Sequence, residues 1–187
     1  VLGGEETTAA DFALFRSRFL SGTQFVNGLG PSESTTALQF FADTHSTLPP
    51  GVVPVGRPVS ATQVELRDAQ GMPSAFRGEL IIRSQRLAPG YWQNSAATKA
   101  AYIDAVTYRS GDRARYLPDG NLVFDGRADG QIKLRGQRIE TAEIEQRLDA
   151  LPAVRRSVVR LFAAAEQAYL VAWYQPAAEI IDAQLLR

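Results

Sequence analysis

The sequence predicts α/β architecture at its start, a mainly β stretch in its middle and a small α+β unit at its end. Three observations carry that reading: a capped helix between two short apolar runs, a texture of short strands and turn residues from about Leu48, and a fresh strand-then-helix pattern beyond Gly126. Apolar Val1-Leu2 runs into Gly3-Gly4, and Thr8 with Asp11 three residues later forms a capping signature. Phe12, Phe15 and Phe19 recur at helical spacing, so one aromatic face is expected against a core. Ser21-Gly22 breaks the helix. Gln24-Phe25-Val26 then reads as a brief strand ending in the turn Asn27-Gly28-Leu29-Gly30-Pro31-Ser32-Glu33. In an α/β layer of this kind, ligands gather beyond the carboxyl ends of the strands.

In the β stretch, Thr62 to Arg67 ends at Asp68 and Gly71, and Gly78 to Arg83 places Leu80 and Ile82 on one side. Alanine-rich Ser95 to Asp104 interrupts as a helix with a serine cap, and Tyr116 to Phe124 reads as a hairpin about Asp119-Gly120, a dipeptide suited to positive φ. Beyond Gly126-Arg127-Ala128-Asp129, residues Gln131 to Arg135 alternate. Thr141 then opens a helix with Glu143 and Glu145 in its first turns, where the dipole favours negative charge. Ile144, Leu148 and Leu151 mark the expected buried face, Arg156 to Phe162 and Ala168 to Tyr174 read as strands, and the last residues read as a helix. A linker is placed near Asp129, dividing 1–128 from 129–187.

Composition narrows the function. Across 187 residues, 20 basic and 20 acidic side chains balance, and no Lys/Arg cluster forms a stripe that could track phosphates, so nucleic acid and membrane surfaces are poor partners. No apolar run is long enough to span a bilayer and no secretory leader is recognisable. Cysteine is absent, which removes disulfides, thiolate metal sites and thiol nucleophiles together; this is neutral on compartment but compatible with a reducing cytoplasm, the expected setting. His45, the single histidine, sits in a polar stretch before Pro49-Pro50 and reads as a solvated loop residue. The chain opens without methionine, in what reads as a strand, so its true N-terminus is expected elsewhere.

Four segments in order carry a resemblance. Asn27-Gly28-Leu29-Gly30-Pro31-Ser32-Glu33 is similar to an Asn-x-Tyr-Gly-Pro-Thr-Glu segment, and Arg77-Gly78-Glu79-Leu80-Ile81-Ile82 with Ala88-Pro89-Gly90-Tyr91-Trp92 to a Gly-Glu-Leu…Gly-Tyr segment. Tyr108-Arg109-Ser110-Gly111-Asp112 is similar to Tyr-Arg-Thr-Gly-Asp, and Gly126 through Glu140 to a hinge motif. Their order resembles the adenylate-forming superfamily, over nearly the whole chain. The Gln131-Ile132-Lys133-Leu134-Arg135-Gly136 run favours the adenylation domain of a nonribosomal peptide synthetase. The resemblance implies the end of an αβ layered core, a distorted mainly-β barrel region, and a hinge with an incomplete small α+β subdomain.

It also implies chemistry: joining an amino acid or related carboxylic acid to the α-phosphate of ATP, then passing the acyl group from AMP to the phosphopantetheine thiol of a peptidyl carrier protein. Glu33 is then expected to hold Mg²⁺ as the catalytic carboxylate, the bland reading being a loop carboxylate. Asp112 is expected to accept from both ribose hydroxyls, against a mere turn aspartate, and Arg127 to reach the same ribose or phosphate region, against an ordinary salt bridge. Asn27, Gly28, Leu29, Gly30, Ser32 and Phe124 complete the nucleotide set, with Leu29 standing where an aromatic usually stacks on adenine. Gly3, Gly28, Thr36 and Ala37, small or uncharged, are expected to line the acyl pocket, which points to a neutral side chain or aryl group. Asp129 is the expected hinge. Gly136 is either a lining of the pantetheine channel or a hairpin glycine, and Arg138 either meets a carrier or CoA phosphate or is solvated.

Two family features are missing: a Ser/Thr/Gly-rich phosphate loop ending in Lys, and a late Asn-Gly-Lys segment. The remainder of the adenylation domain is expected to supply both, and this polypeptide alone is expected to be inactive. Two rivals stand: an acyl- or aryl-CoA synthetase or fatty-acyl-AMP ligase, and a catalytically dead module that docks a carrier protein.

Overall fold

A computed structural model of the chain describes residues 1–4, 6–128, 132–134, 137–164 and 167–177. It divides into two compact units, Val1–Asp129 and Gly130–Arg187.

The first unit opens with helix α1 (Ala9–Arg18). Thr8 caps it as the sequence predicts: its side chain accepts from the Asp11 N–H, and the Asp11 carboxylate accepts from the Thr8 N–H at 2.7 Å. Strands β1 (Phe25–Leu29), β2 (Leu38–Ala42) and β3 (Arg57–Pro58) form an antiparallel sheet in that order. Leu2 adds a parallel bridge to Asn27, so the strand read at Val1-Leu2 is a single bridge residue with α1 as its crossover. β1 also runs through Asn27-Gly28-Leu29, which the sequence reading gave to a turn. The turn lies later, where Ser34 N–H donates to Pro31 O.

Phe12 and Phe15 of α1 pack on Phe25, Ala42 and Val53, with the Phe12 ring edge-on to Phe25 at 5.0 Å. Phe19 departs from the expected stripe. It is the C-cap, in extended backbone, and is 56% exposed because the helical period has ended there, although its ring stacks on Phe15 at 5.3 Å.

The curled second sheet comprises β4 (Thr62–Arg67), β5 (Pro73–Ser74), β6 (Arg77–Ser84), β7 (Tyr102–Asp104), β8 (Thr107–Tyr116) and β9 (Leu122–Arg127). Its order is β5-β4-β6-β8-β7, and β9 pairs the second half of β8. Helix α2 (Ser95–Ala101) is shorter than predicted, and Tyr102–Asp104 becomes strand. Its cap is Asn94 rather than a serine, accepting from the Ala97 N–H at 3.0 Å. The Asp119-Gly120 hairpin is present, with Gly120 at φ 81° and its N–H donating to Leu117 O.

Leu122 stitches the two sheets together: its N–H donates to Gly56 O and its carbonyl accepts from Val55 and Gly56. Leu29, Leu38, Val55, Leu66, Leu80, Ile82, Tyr108, Ala114 and Leu122 form one buried core between them. Strand β6 is buried on both faces, since Ile81 is as covered as Leu80 and Ile82.

The second unit holds a hairpin of β10 (Ile132–Leu134) and β11 (Gln137–Ile139), helix α3 (Thr141–Asp149), and a long hairpin of β12 (Val154–Ala164) and β13 (Gln167–Pro176). Both long strands extend beyond their predicted limits. Glu145 ties α3 to β12: its Oε1 accepts from Val159 N–H at 2.7 Å and its carbonyl from Ser157 Oγ at 3.2 Å. Ile144 and Leu148 are half-buried, while Leu151 is exposed because the helix has already ended at Asp149. The expected terminal helix lies outside the described residues. Among the described residues no helix is long and apolar enough to cross a membrane.

This packing sets a contrast that can be measured. Leu80→Ala, at a side chain with 0% exposure, is expected to cost about 2–5 kcal/mol in urea unfolding. Leu14→Ala, at 57% exposure, is expected to stay within about 0.5 kcal/mol, and equal costs would contradict the assigned core.

Candidate functional site

Strand β8 carries the most concentrated polar chemistry of the first unit. Its even-numbered residues face inward, and the row Tyr108, Ser110, Asp112, Ala114 is buried throughout. Burying a carboxylate is costly unless it is paired and hydrogen-bonded. Asp112, 1% exposed, receives Arg127 Nη1 at 2.6 Å, and the arginine is itself only 6% exposed. The strand register makes the pair, because Asp112 lies opposite Arg127 in the β8–β9 ladder. Arg127 Nη2 also donates to Ser110 O at 3.3 Å.

Backbone geometry aims the aspartate. The β6–β8 register shifts between Glu79 and Ile81, so β8 bulges around Ser110-Gly111-Asp112. Gly111 sits at φ 71°, a region a side chain would resist, and its carbonyl accepts from Ala128 N–H at 2.7 Å. Ser110 pins the bulge: its hydroxyl donates to Leu80 O at 2.7 Å and accepts from Asp112 N–H at 3.0 Å. Sequence reasoning treated Ser110 only as a substitute for Thr. The structure gives its hydroxyl a definite task.

The second cluster surrounds Glu33, in the loop between β1 and β2. Gly30 begins this loop under tight constraint, since a Cβ there would lie 1.9 Å from Thr35 O. Glu33 is buried, and its Oε1 accepts from the Tyr91 hydroxyl at 2.6 Å. The Tyr108 oxygen is 3.4 Å from that of Tyr91, and the Tyr102 ring lies against both, at 6.1 Å from Tyr91 and 5.0 Å from Tyr108. Burial, then the neighbouring Tyr91 hydrogen bond and the Glu33 charge, push the Tyr108 phenol well above its ordinary range. Burial and Glu33 push Tyr102 the same way. These phenols therefore stay protonated through neutral pH. The sequence signal for the cluster was present, as Tyr91 and Tyr108 each belong to a motif quoted above, but nothing in spacing indicated that they meet.

Gly3, Gly28 and Thr36 are brought together: a Cβ on Gly3 would lie 3.1 Å from Gly28 O, and one on Gly28 would lie 3.7 Å from Thr36 Cγ2. Ala37 is fully buried in the core instead. Leu29 is also a core residue, 7% exposed, because alternation along β1 turns Phe25, Asn27 and Leu29 inward, so its side chain packs on protein where packing on a base was expected. Asn27 has its amide engaged at both ends, accepting from Thr7 Oγ1 and donating to Pro54 O, each at 2.8 Å. Ser32 is exposed, and Phe124 packs partly buried against the core. His45 is exposed in its loop, its Nε2 3.3 Å from Ser21 Oγ. Asp129 and Gly136 lie outside the described residues, and Arg138 is placed only as the central residue of β11, opposite Lys133.

Among the described residues no cluster of three His, Cys, Asp or Glu side chains forms a metal cage. One carboxylate from the protein, as at Glu33, fits a cation whose other ligands are substrate phosphates and water, the usual arrangement for Mg²⁺.

Residues 1–92 match the family described as AMP-binding enzyme. The chain is 38% identical over 182 residues to Malpibaldin synthetase of Mortierella alpina, which spans 91% of this chain and 3% of that protein. It is 34% identical to surfactin synthase subunit 3 of Bacillus subtilis (strain 168), covering 99% of this chain and 16% of that protein. Among solved structures, IdnL1 superposes with a TM-score of 0.83 at 29% identity, over 98% of this chain and 39% of that one. PA1221, described as an NRPS protein containing adenylation and PCP domains, superposes with a TM-score of 0.75 at 30% identity, again over 98% and 39%. The chain thus spans a minor part of the length of each relative.

The buried pair yields a stability test. Asp112→Ala is expected to cost about 3–5 kcal/mol in chemical unfolding, since it removes the carboxylate that pairs with a buried guanidinium. Adding Arg127→Met is expected to return part of that cost, and strictly additive losses would show that the two groups do not act as a pair.

Proposed function

This chain belongs to the AMP-binding enzyme family, and on that premise we propose that it is part of an adenylation domain of a nonribosomal peptide synthetase. It takes the 1–128 segment as the later part of the large core subdomain and 129–187 as the hinge and part of the small subdomain. In the proposed reaction a carboxylate oxygen of an amino acid, or a related acid, attacks the α-phosphorus of ATP. The bond to the β,γ-diphosphate breaks and pyrophosphate leaves. A phosphopantetheine sulfur of a carrier domain then attacks the acyl carbon and AMP departs.

The observation that carries the reading is the buried Asp112–Arg127 pair, fixed on adjacent strands within a bulge. An aspartate held rigidly by a guanidinium is an ionised, pre-oriented acceptor, as recognition of vicinal ribose hydroxyls demands. Arg127 supplies positive charge beside the same nucleotide. Glu33 would hold Mg²⁺ together with the phosphates, and the ion would supply charge neutralisation there. Gly3, Gly28 and Thr36 leave a small, neutral lining for the acid, with Ala37 packed beneath, which favours an uncharged side chain. Asn27, Gly30 and Ser32 shape the loop that carries Glu33. Leu29 and Phe124 back the nucleotide site from the core. Asp129 is proposed as the hinge residue, and Gly136 and Arg138 as residues of the pantetheine channel. A cysteine-free, charge-balanced chain suits the cytoplasm, where ATP and the carrier are both present.

In the protein that contains this chain, Asp112→Asn is expected to keep the fold while weakening AMP binding by about 10-fold or more in calorimetric titration. Unchanged affinity would remove the ribose assignment. Pyrophosphate exchange supported only by fatty acids would move the reading to a fatty-acyl ligase.

A further inference from the structure

Glu33 is gripped at two points by one neighbouring segment. Its main-chain carbonyl accepts from the Ala88 N–H at 2.7 Å, and its Oε1 accepts from the Tyr91 hydroxyl at 2.6 Å. That segment is braced in turn. Tyr91 N–H donates to Thr98 Oγ1 at 2.9 Å, the Thr98 hydroxyl donates to Asn94 O at 2.8 Å, and the Asn94 side chain caps α2. Between the two grips, Gly90 passes so close to Thr98 that a Cβ would lie 2.6 Å from its Cγ2. The phenol therefore reaches Glu33 from a rigid support.

Two aromatic side chains also flank it. The Tyr102 ring is edge-on to Tyr91, and Tyr108, almost wholly buried, brings its oxygen within 3.4 Å. An ionised carboxylate only accepts, so the short contact runs from the phenol proton to Oε1 and is a charge-assisted bond. Fixing one oxygen fixes the plane of the carboxylate. The rotamer freedom of Glu33 is then already lost before any ligand arrives.

We propose that Tyr91 is a positioning residue for Glu33, its hydroxyl setting the carboxylate plane in which a divalent cation arriving with nucleotide phosphates is met. This deepens the reading of Glu33 given above and rests on it. Tyr91 does not touch the reacting atoms, and its effect runs through the orientation of its neighbour.

The test uses the whole protein that contains this chain, with Mn²⁺ as probe and ATP present but no acid substrate, and counts free Mn²⁺ by electron paramagnetic resonance. Tyr91→Phe is expected to weaken Mn²⁺ binding about 5- to 20-fold while leaving metal-free ATP affinity unchanged. Glu33→Gln is expected to weaken Mn²⁺ at least as much, and the double variant to be no weaker than Glu33→Gln alone. A Tyr91→Phe variant with unchanged or tighter Mn²⁺ binding beside an impaired Glu33→Gln overturns the positioning role and leaves the metal reading of Glu33 intact. Equal losses of Mn²⁺ and metal-free ATP affinity in Tyr91→Phe also overturn it, since a general structural defect would produce them. Unimpaired Glu33→Gln overturns the metal reading itself.

Discussion

The ion pair between Asp112 and Arg127 is the constraint from which the rest of the first unit follows. A carboxylate and a guanidinium, both nearly sealed from water, survive inside a protein only if geometry satisfies them. The ladder of β8 and β9 provides that geometry by setting the two residues opposite one another. The bulge at Gly111 and the hydroxyl of Ser110 then decide the direction in which the aspartate points. Replacing the pair with apolar groups of equal volume would be the simpler way to build a stable sheet. Its presence therefore argues for a task other than stability, and an oriented negative charge beside a fixed positive one is suited to a polyhydroxylated anion such as a nucleotide.

Glu33 is organised on the same logic with different parts. The Tyr91 hydroxyl donates to its carboxylate in a short hydrogen bond, and the Tyr102 ring and Tyr108 hydroxyl stand beside that phenol. Two buried carboxylates are thus engaged on one framework by different donors, a guanidinium at Asp112 and a phenol at Glu33. Strand β8 links them, as Tyr108 and Asp112 lie on its same buried face.

Much of this was legible in the sequence because local rules decided it. The Thr8–Asp11 cap, the Asp119-Gly120 hairpin and the limits of β4 follow from capping, turn chemistry and strand alternation, and the structure reproduces them. The misreadings came where tertiary packing outweighed local pattern. Phe19 has helical spacing but falls on the residue where the helix stops, and Asn27-Gly28-Leu29 has turn composition yet pairs across to Leu38-Gln39-Phe40. Tyr102–Asp104 reads as helix until β8 offers it a partner. Motif order singled out Asp112, Arg127 and Glu33 as candidate site residues. The meeting of Tyr91 with Glu33, 58 residues away, depends on how a loop folds back over the sheet, and no periodicity encodes that.

Whether Asp112 holds a ribose, as proposed, is decided most directly by a crystal structure of the protein containing this chain with AMP bound. Both ribose hydroxyls are expected within about 3 Å of the Asp112 carboxylate, with Arg127 still paired to it. A ribose bound elsewhere, leaving Asp112 sealed against Arg127 and out of the nucleotide's reach, would contradict it.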